Sequence, residues 1–200
     1  MLVNTRSRET RRALTSAALK LWSEGDFERA YETTTPAAIA RAAGVSRGTF
    51  YFHFANKDDL LLEMGSELAE TMHDEVDEGT ARGVPLRLLV DEILSTMAER
   101  VARTPKAAAV RSGALGFQVR SGQRAMTSPR GTAAAFEALL RYGRERGELS
   151  PDVDIEDAAA MLLTISVEAI IRWGVSDHSG LWLREVLCRR AAVVLRGLAP

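Results

Sequence analysis

Proline is tolerated in the first turn of a helix and expelled from helix interiors, because it lacks an amide hydrogen and its ring collides with the preceding turn. All six prolines of this chain fit segment edges: Pro36 follows Thr34 and Thr35, Pro85 follows a Gly83 break, Pro105 follows Thr104, Pro129 follows Ser128, Pro151 follows Gly147 to Ser150, and Pro200 ends the chain. Between them lie stretches of helical length with apolar residues at 3.6 spacing and few β-branched alternations. The pattern predicts an all-α protein of about nine helices, over 8–23, 35–43, 47–53, 57–79, 85–103, 106–121, 128–147, 155–174 and 181–198. No convincing strand is found, and no repeat at the 20 to 50 residue scale suggests a solenoid.

Composition narrows the class. With 200 residues, 46% of them hydrophobic and 26% charged, the chain is long enough to bury a sizeable core. Its single cysteine, Cys188, cannot form an internal disulfide, and no early apolar stretch follows the basic start, so a cytoplasmic location is expected. Apolar runs such as Ala158 to Val167 fall short of the roughly 20 residues a membrane span needs. The formal net charge of -1 hides an asymmetry. Residues 1–60 hold nine Lys/Arg against seven Asp/Glu, and residues 61–200 hold 17 against 20. Arg6, Arg8, Arg11 and Arg12 form a basic start that a nucleic-acid backbone could use.

The most informative stretch runs from Thr35 to Phe54. Thr35 can cap a helix with Pro36 at its first position, and Ser46 can cap the next. A helix-turn-helix needs a small residue where its helices touch and a residue able to adopt positive φ in the turn; Ala40 and Gly44 meet those needs. Ile39, Ala43, Val45, Phe50 and Phe54 would seat both helices on the first helix. With Phe50 and Phe54 turned inward at i, i+4, the opposite face presents Arg47, Gly48 and Tyr51, as a major-groove reader requires.

Residues 8 to about 66 resemble the DNA-binding domain of the TetR (tetracycline repressor) family: paired Thr, Ile-Ala, Ala-Gly-Val-Ser, Gly-Thr-aromatic-Tyr, His-Phe, then Asn-Lys and Leu-Leu. The remaining 140 residues match only in length and helical character. The resemblance implies a homodimeric, ligand-responsive regulator, most simply a repressor, that binds a near-palindromic DNA operator and is released by a small apolar or amphipathic effector. It implies a DNA-binding domain over 1–66, with its motif at 35–54, and a ligand-binding and dimerisation domain over 67–200. Arg47, Gly48, Thr49 and Tyr51 should then meet bases or nearby phosphates, and Thr35, Ser46, Tyr51, His53 and Lys57 should anchor the backbone. The family often places a basic or polar side chain just after the paired threonines, where this chain has Pro36, Ala37 and Ala38, so readout shifts to the second helix of the motif and to the arginine-rich start. That start, read as an arm, could reach a minor groove.

Competing chemistry is poorly supported. Glu70, His73 and Asp77 share a helical face, yet no second His or Cys lies near, so a solvated acidic helix is the simpler expectation and no metal or other cofactor is implied. Phosphate-loop, zincin, nucleophile-elbow and paired-cysteine signatures are missing from the sequence, which argues against an enzyme. A helical carrier or enzyme with a vestigial DNA-binding domain is the rival class; intact Arg47, Tyr51, His53 and Lys57 speak against it. Cys188 beside Arg189 and Arg190 reads as a packed thiol rather than a reactive one.

Residues 155–174 are apolar nearly all round, with Glu168 able to pair with Arg172 at i+4, and 181–198 is amphipathic. A helix with that much apolar surface must bury a second face, so these two helices are expected to pair with their copies, burying Ile170 and Val194. Helices between 85 and 147 would enclose an effector pocket, with Met97, Val101, Leu115, Phe117, Phe136, Leu140, Met161 and Trp173 as candidate lining. Five of twelve aromatics lie beyond residue 60, which favours an aliphatic effector over a planar aromatic one.

Overall fold

A computed structural model describes residues 2–120 and 131–200. Ten α-helices and no strand occur among them: α1 Leu2–Trp22, α2 Phe27–Thr33, α3 Pro36–Ala42, α4 Arg47–His53, α5 Lys57–Ala81, α6 Leu86–Ala102, α7 Lys106–Arg120, α8 Thr132–Glu145, α9 Ile155–Gly174 and α10 Gly180–Gly197. The helix absent from the sequence reading is α2. It is two turns long, too short to display a period, but Asp26 caps it by accepting from the Arg29 amide at 2.8 Å. The expected start of α8 at Ser128 and Pro129 lies outside the described residues. The basic start is the opening of α1 rather than an extended arm.

The chain forms two compact units, Met1–Met64 with Thr104–Arg124, and Gly65–Arg103 with Ala125–Pro200. Helix α7 lies in the first of these units, and α6, α8, α9 and α10 lie in the second. In the first unit Leu14, Ala18 and Trp22 of α1 pack with Phe27 and Tyr31, Ile39 and Ala40, Phe50 and Phe54, and Leu60 and Leu61. Ala108 and Leu115 of α7 join this core, and the Ser112 hydroxyl donates to the Leu61 carbonyl at 2.8 Å.

The second unit is a helical bundle. Its α10 packs on α6 and α9, and α8 packs on α9 and α6. Burial follows the heptad-like spacing of Leu86, Leu89, Val90, Ile93, Leu94 and Met97 on α6 and of Leu183, Val186, Leu187 and Ala191 on α10. The acidic stretch of α5 is not solvated all round, since Ala69, Met72 and Val76 are buried along one face. Glu168 does not pair with Arg172. It pairs with Arg190 of α10, which also donates to the Ile165 carbonyl at 3.0 Å, because packing of α10 on α9 offers a partner that local spacing cannot reveal. Cys188 is half-buried and its thiol is pushed up by that burial, so the neighbouring arginines do not activate it.

Gly180 sets the approach of α10 to α6: a Cβ there would lie 2.6 Å from the Ala102 Cβ, a methyl fixed directly to its backbone. Gly180→Ala is therefore expected to destabilise the protein by about 1 to 3 kcal/mol, the usual cost of overpacking. Chemical denaturation checks this; an unchanged midpoint would mean that the α6 and α10 ends separate freely.

Candidate nucleic-acid interface

The α3–α4 motif is assembled by local chemistry. Thr35 caps α3, its hydroxyl accepting from the Ala38 amide at 3.2 Å, with Pro36 at the first helical position. Gly44 turns the chain at φ +71°, a conformation that costs other residues energy, and the Val45 amide returns to the Ala40 carbonyl at 2.9 Å. Ser46 caps α4 by accepting from the Thr49 amide at 3.0 Å, and its hydroxyl also meets that of Thr49 at 2.9 Å. Phe50 and Phe54 are fully enclosed in the core.

That anchoring turns a defined face of α4 outward. Arg47 and Gly48 are exposed, Tyr51 is 47% exposed, and the Arg47 guanidinium lies over the Tyr51 ring, 5.5 Å from its centroid. Phe52 is 81% exposed. Its position two residues from both Phe50 and Phe54 points it outward when those two face in. Thr35 and Ser46 are exposed at the two helix starts, and Thr49 is half-buried.

Among the expected phosphate anchors, Lys57 is engaged within the protein. The Lys57 ammonium donates to the carbonyls of Tyr31 and of Glu32, the latter at 3.2 Å, closing the end of α2, and lies 4.6 Å from the centre of the Tyr31 ring. Burial and nearby Arg111 push its pKa down. Tyr31 in turn donates to Asp58, and its hydroxyl pKa is raised, first by burial and then by that carboxylate. Arg111 of α7 stands 4.1 Å from the Tyr31 ring and bonds Glu28 at 3.2 Å. His53 is half-buried and its pKa is lowered by burial and by Arg11, so the imidazole is held neutral near pH 7. Arg11 itself faces inward and pairs with Glu63, which removes it from the basic surface that the sequence suggested.

Residues 14–64 match the family model described as bacterial regulatory proteins, tetR family. The fatty acid metabolism regulator protein of Bacillus subtilis is 24% identical over 157 residues, covering 76% of this chain and 78% of that protein. The transcriptional repressor KstR2 of Rhodococcus jostii is 25% identical over 174 residues, covering 86% of this chain and 84% of that protein. A crystal structure of Thermus thermophilus FadR, a TetR-family repressor in complex with lauroyl-CoA, superposes with a TM-score of 0.67 at 27% identity over 95% of both chains. Its DNA-binding domain is of the TetR type. As a TetR-type regulator it acts by binding DNA and is not an enzyme. No helix among the described residues is long and apolar enough to cross a membrane.

The expected effector contacts are scattered in burial and in place. Met97, Phe136, Leu140 and Trp173 are buried in the second unit and Val101 is half-buried. Leu115 belongs to the core of the first unit, and Phe117 and Met161 are 58% and 48% exposed. Apolar identity predicted burial for all eight; only packing decides which helix face a core covers. Ile170 and Val194 are half-buried, whereas Val193, beside the latter, is 57% exposed.

Proposed function

We propose that this protein is a TetR-type repressor that reads a near-palindromic operator as a homodimer and leaves it when an amphipathic, acyl-bearing effector binds. The observation that carries the DNA reading is the outward face of α4, where Arg47, Gly48, Tyr51 and Phe52 stand clear of a helix whose other side is locked into the core. Arg47 would donate to a base edge, Gly48 would let the backbone come close, and Phe52 would contact apolar base groups. Thr35, Ser46, Thr49, Tyr51, His53 and Lys57 would hold the phosphates around them, Lys57 after exchanging its carbonyl partners.

In this reading the first unit, including α7, binds DNA, and the second holds the dimer contact and the effector site. Met97, Val101, Phe136, Leu140 and Trp173 are the apolar residues left to meet an acyl chain. Support for that ligand class comes from the FadR structure, which holds lauroyl-CoA, and from the Bacillus relative's name.

Recognition helices on one face of B-DNA must sit about 34 Å, or a multiple of it, apart. An effector that favours another spacing binds the DNA-free dimer more tightly, and DNA then weakens effector binding by the same factor. A duplex selected by the protein from a random library should bind with a log-log salt slope of roughly -5, for about three phosphate contacts per subunit. Lauroyl-CoA titrated with and without this duplex should show a coupling of about 1 to 3 kcal/mol. A slope near zero would remove the DNA reading, an unchanged lauroyl-CoA affinity would remove the release mechanism, and tighter binding on DNA would make the ligand a co-repressor.

A further inference from the structure

The helix that reads DNA is seven residues long, too short to hold its own geometry in water. Its N-terminal end is fixed by the Ser46 cap and its inner side by Phe50 and Phe54. Its C-terminal end leaves backbone carbonyls without intrahelical donors. There the Arg11 guanidinium, reaching from α1, donates through Nη1 to the His53 carbonyl at 3.1 Å and lies 4.6 Å from the centroid of the Phe54 ring. The same guanidinium meets Glu63 of α5 as a two-pronged fork, Nε to Oε1 at 2.7 Å and Nη2 to Oε2. The side chains are 29% and 12% exposed, so water only partly screens the pair.

From this we infer that Arg11 and Glu63 are positioning residues for operator recognition: together they orient the end of α4 that carries Tyr51, Phe52 and His53, and neither contacts DNA. The planar fork matters because Glu63 fixes the plane of the guanidinium and so the direction in which Nη1 meets the His53 carbonyl. A lysine in place of Arg11 would carry the same charge without that fixed direction. Loosening the end of α4 spoils base readout, which demands placement to within about 0.5 Å, while phosphate attraction, which is long-ranged, tolerates it. The inference rests on α4 being the DNA-reading helix.

Sign separates positioning from charge. Glu63→Gln removes a negative charge from the DNA-binding unit, and Coulomb attraction alone would then strengthen binding to every duplex. Positioning requires the opposite for the operator.

The test compares the unmodified protein, Glu63→Gln, Arg11→Met, Arg11→Lys and the Arg11→Met/Glu63→Gln double variant on the duplex selected from a random library and on a scrambled duplex, over a salt series. The expected result is a loss of about tenfold on the selected duplex for each single variant, corresponding to the usual worth of a charged hydrogen bond. The double variant should be no worse than the worse single, and scrambled-duplex affinity and salt slope should hold for the Arg11 variants. Thermal unfolding is followed throughout; if Arg11→Met does not fold, Arg11→Lys and Glu63→Gln decide. Tighter binding of Glu63→Gln to both duplexes, a salt slope flattened by about one for Arg11→Met, or equal loss on both duplexes would each overturn the proposal. Failure of the unmodified protein to select any duplex would instead bring down the DNA reading on which it rests.

Discussion

Val193→Arg is expected to turn the protein into monomers while leaving the protomer folded, with Ile170→Arg and Val194→Arg acting in the same direction. On α10, Val193 is 57% exposed, and on α9 Met161 is 48% exposed, so apolar surface of both helices faces out of the protomer. Each exposed Å² of such surface costs about 25 cal/mol, and a second copy is the simplest cover for it. An arginine buried in that contact would have no partner, a penalty of several kcal/mol per ion that the two-fold symmetry of a dimer imposes twice. Sedimentation should then show a monomer. Operator affinity should fall by about 100-fold or more, because two half-sites would have to be filled independently rather than by linked reading heads. Val193 is the deciding position, since Ile170 and Val194 are half-buried within the protomer and their variants also test its packing. Dimers persisting for Val193→Arg at micromolar concentration would place the interface on another surface.

Local chemistry explains why the α3–α4 motif was legible and much around it was not. Thr35, Pro36, Gly44 and Ser46 each specify their own few residues, and the i, i+4 pair of Phe50 and Phe54 fixes which side faces in. Such signals survive in the linear sequence because cause and effect lie within one turn. Arg11 shows the limit: a run of arginines reads as a basic surface until Glu63, 52 residues away, is brought beside one of them. The same distance defeats local reasoning for Glu168, whose i+4 neighbour loses to Arg190 on the next helix. Helix α7 looked like any other bundle helix, yet Arg111 meets Glu28 across 83 residues and Ala108 and Leu115 fill the first core. The signal for α2 was present in Asp26, but one cap without a periodic face is weak evidence by itself.

Gly48→Ala and Arg47→Ala are expected to separate folding from recognition with opposite signs. Gly48 lies inside α4 with no positive φ, and a Cβ there would find only the Ser46 hydroxyl oxygen, at an ordinary 3.6 Å. Folding therefore has no use for this glycine, which costs a helix about 0.5 to 1 kcal/mol relative to alanine. Gly48→Ala should raise the denaturation midpoint by that amount and yet weaken operator binding, because its methyl group enters the gap through which the α4 backbone approaches DNA. Arg47 is exposed and lies over the Tyr51 ring, so its removal should change stability by less than about 0.5 kcal/mol. Its loss from a base edge should cost about 1 to 3 kcal/mol on the selected duplex and relax the preference at that position, with a smaller effect on random DNA. Competition binding against both duplexes, paired with denaturation curves, reads all four numbers. If Gly48→Ala is stabilised and still binds its operator unchanged, the α4 face stands away from the DNA and the reading of Arg47 and Tyr51 as base contacts fails with it. If it is destabilised instead, α4 is under a constraint that its open surroundings do not reveal.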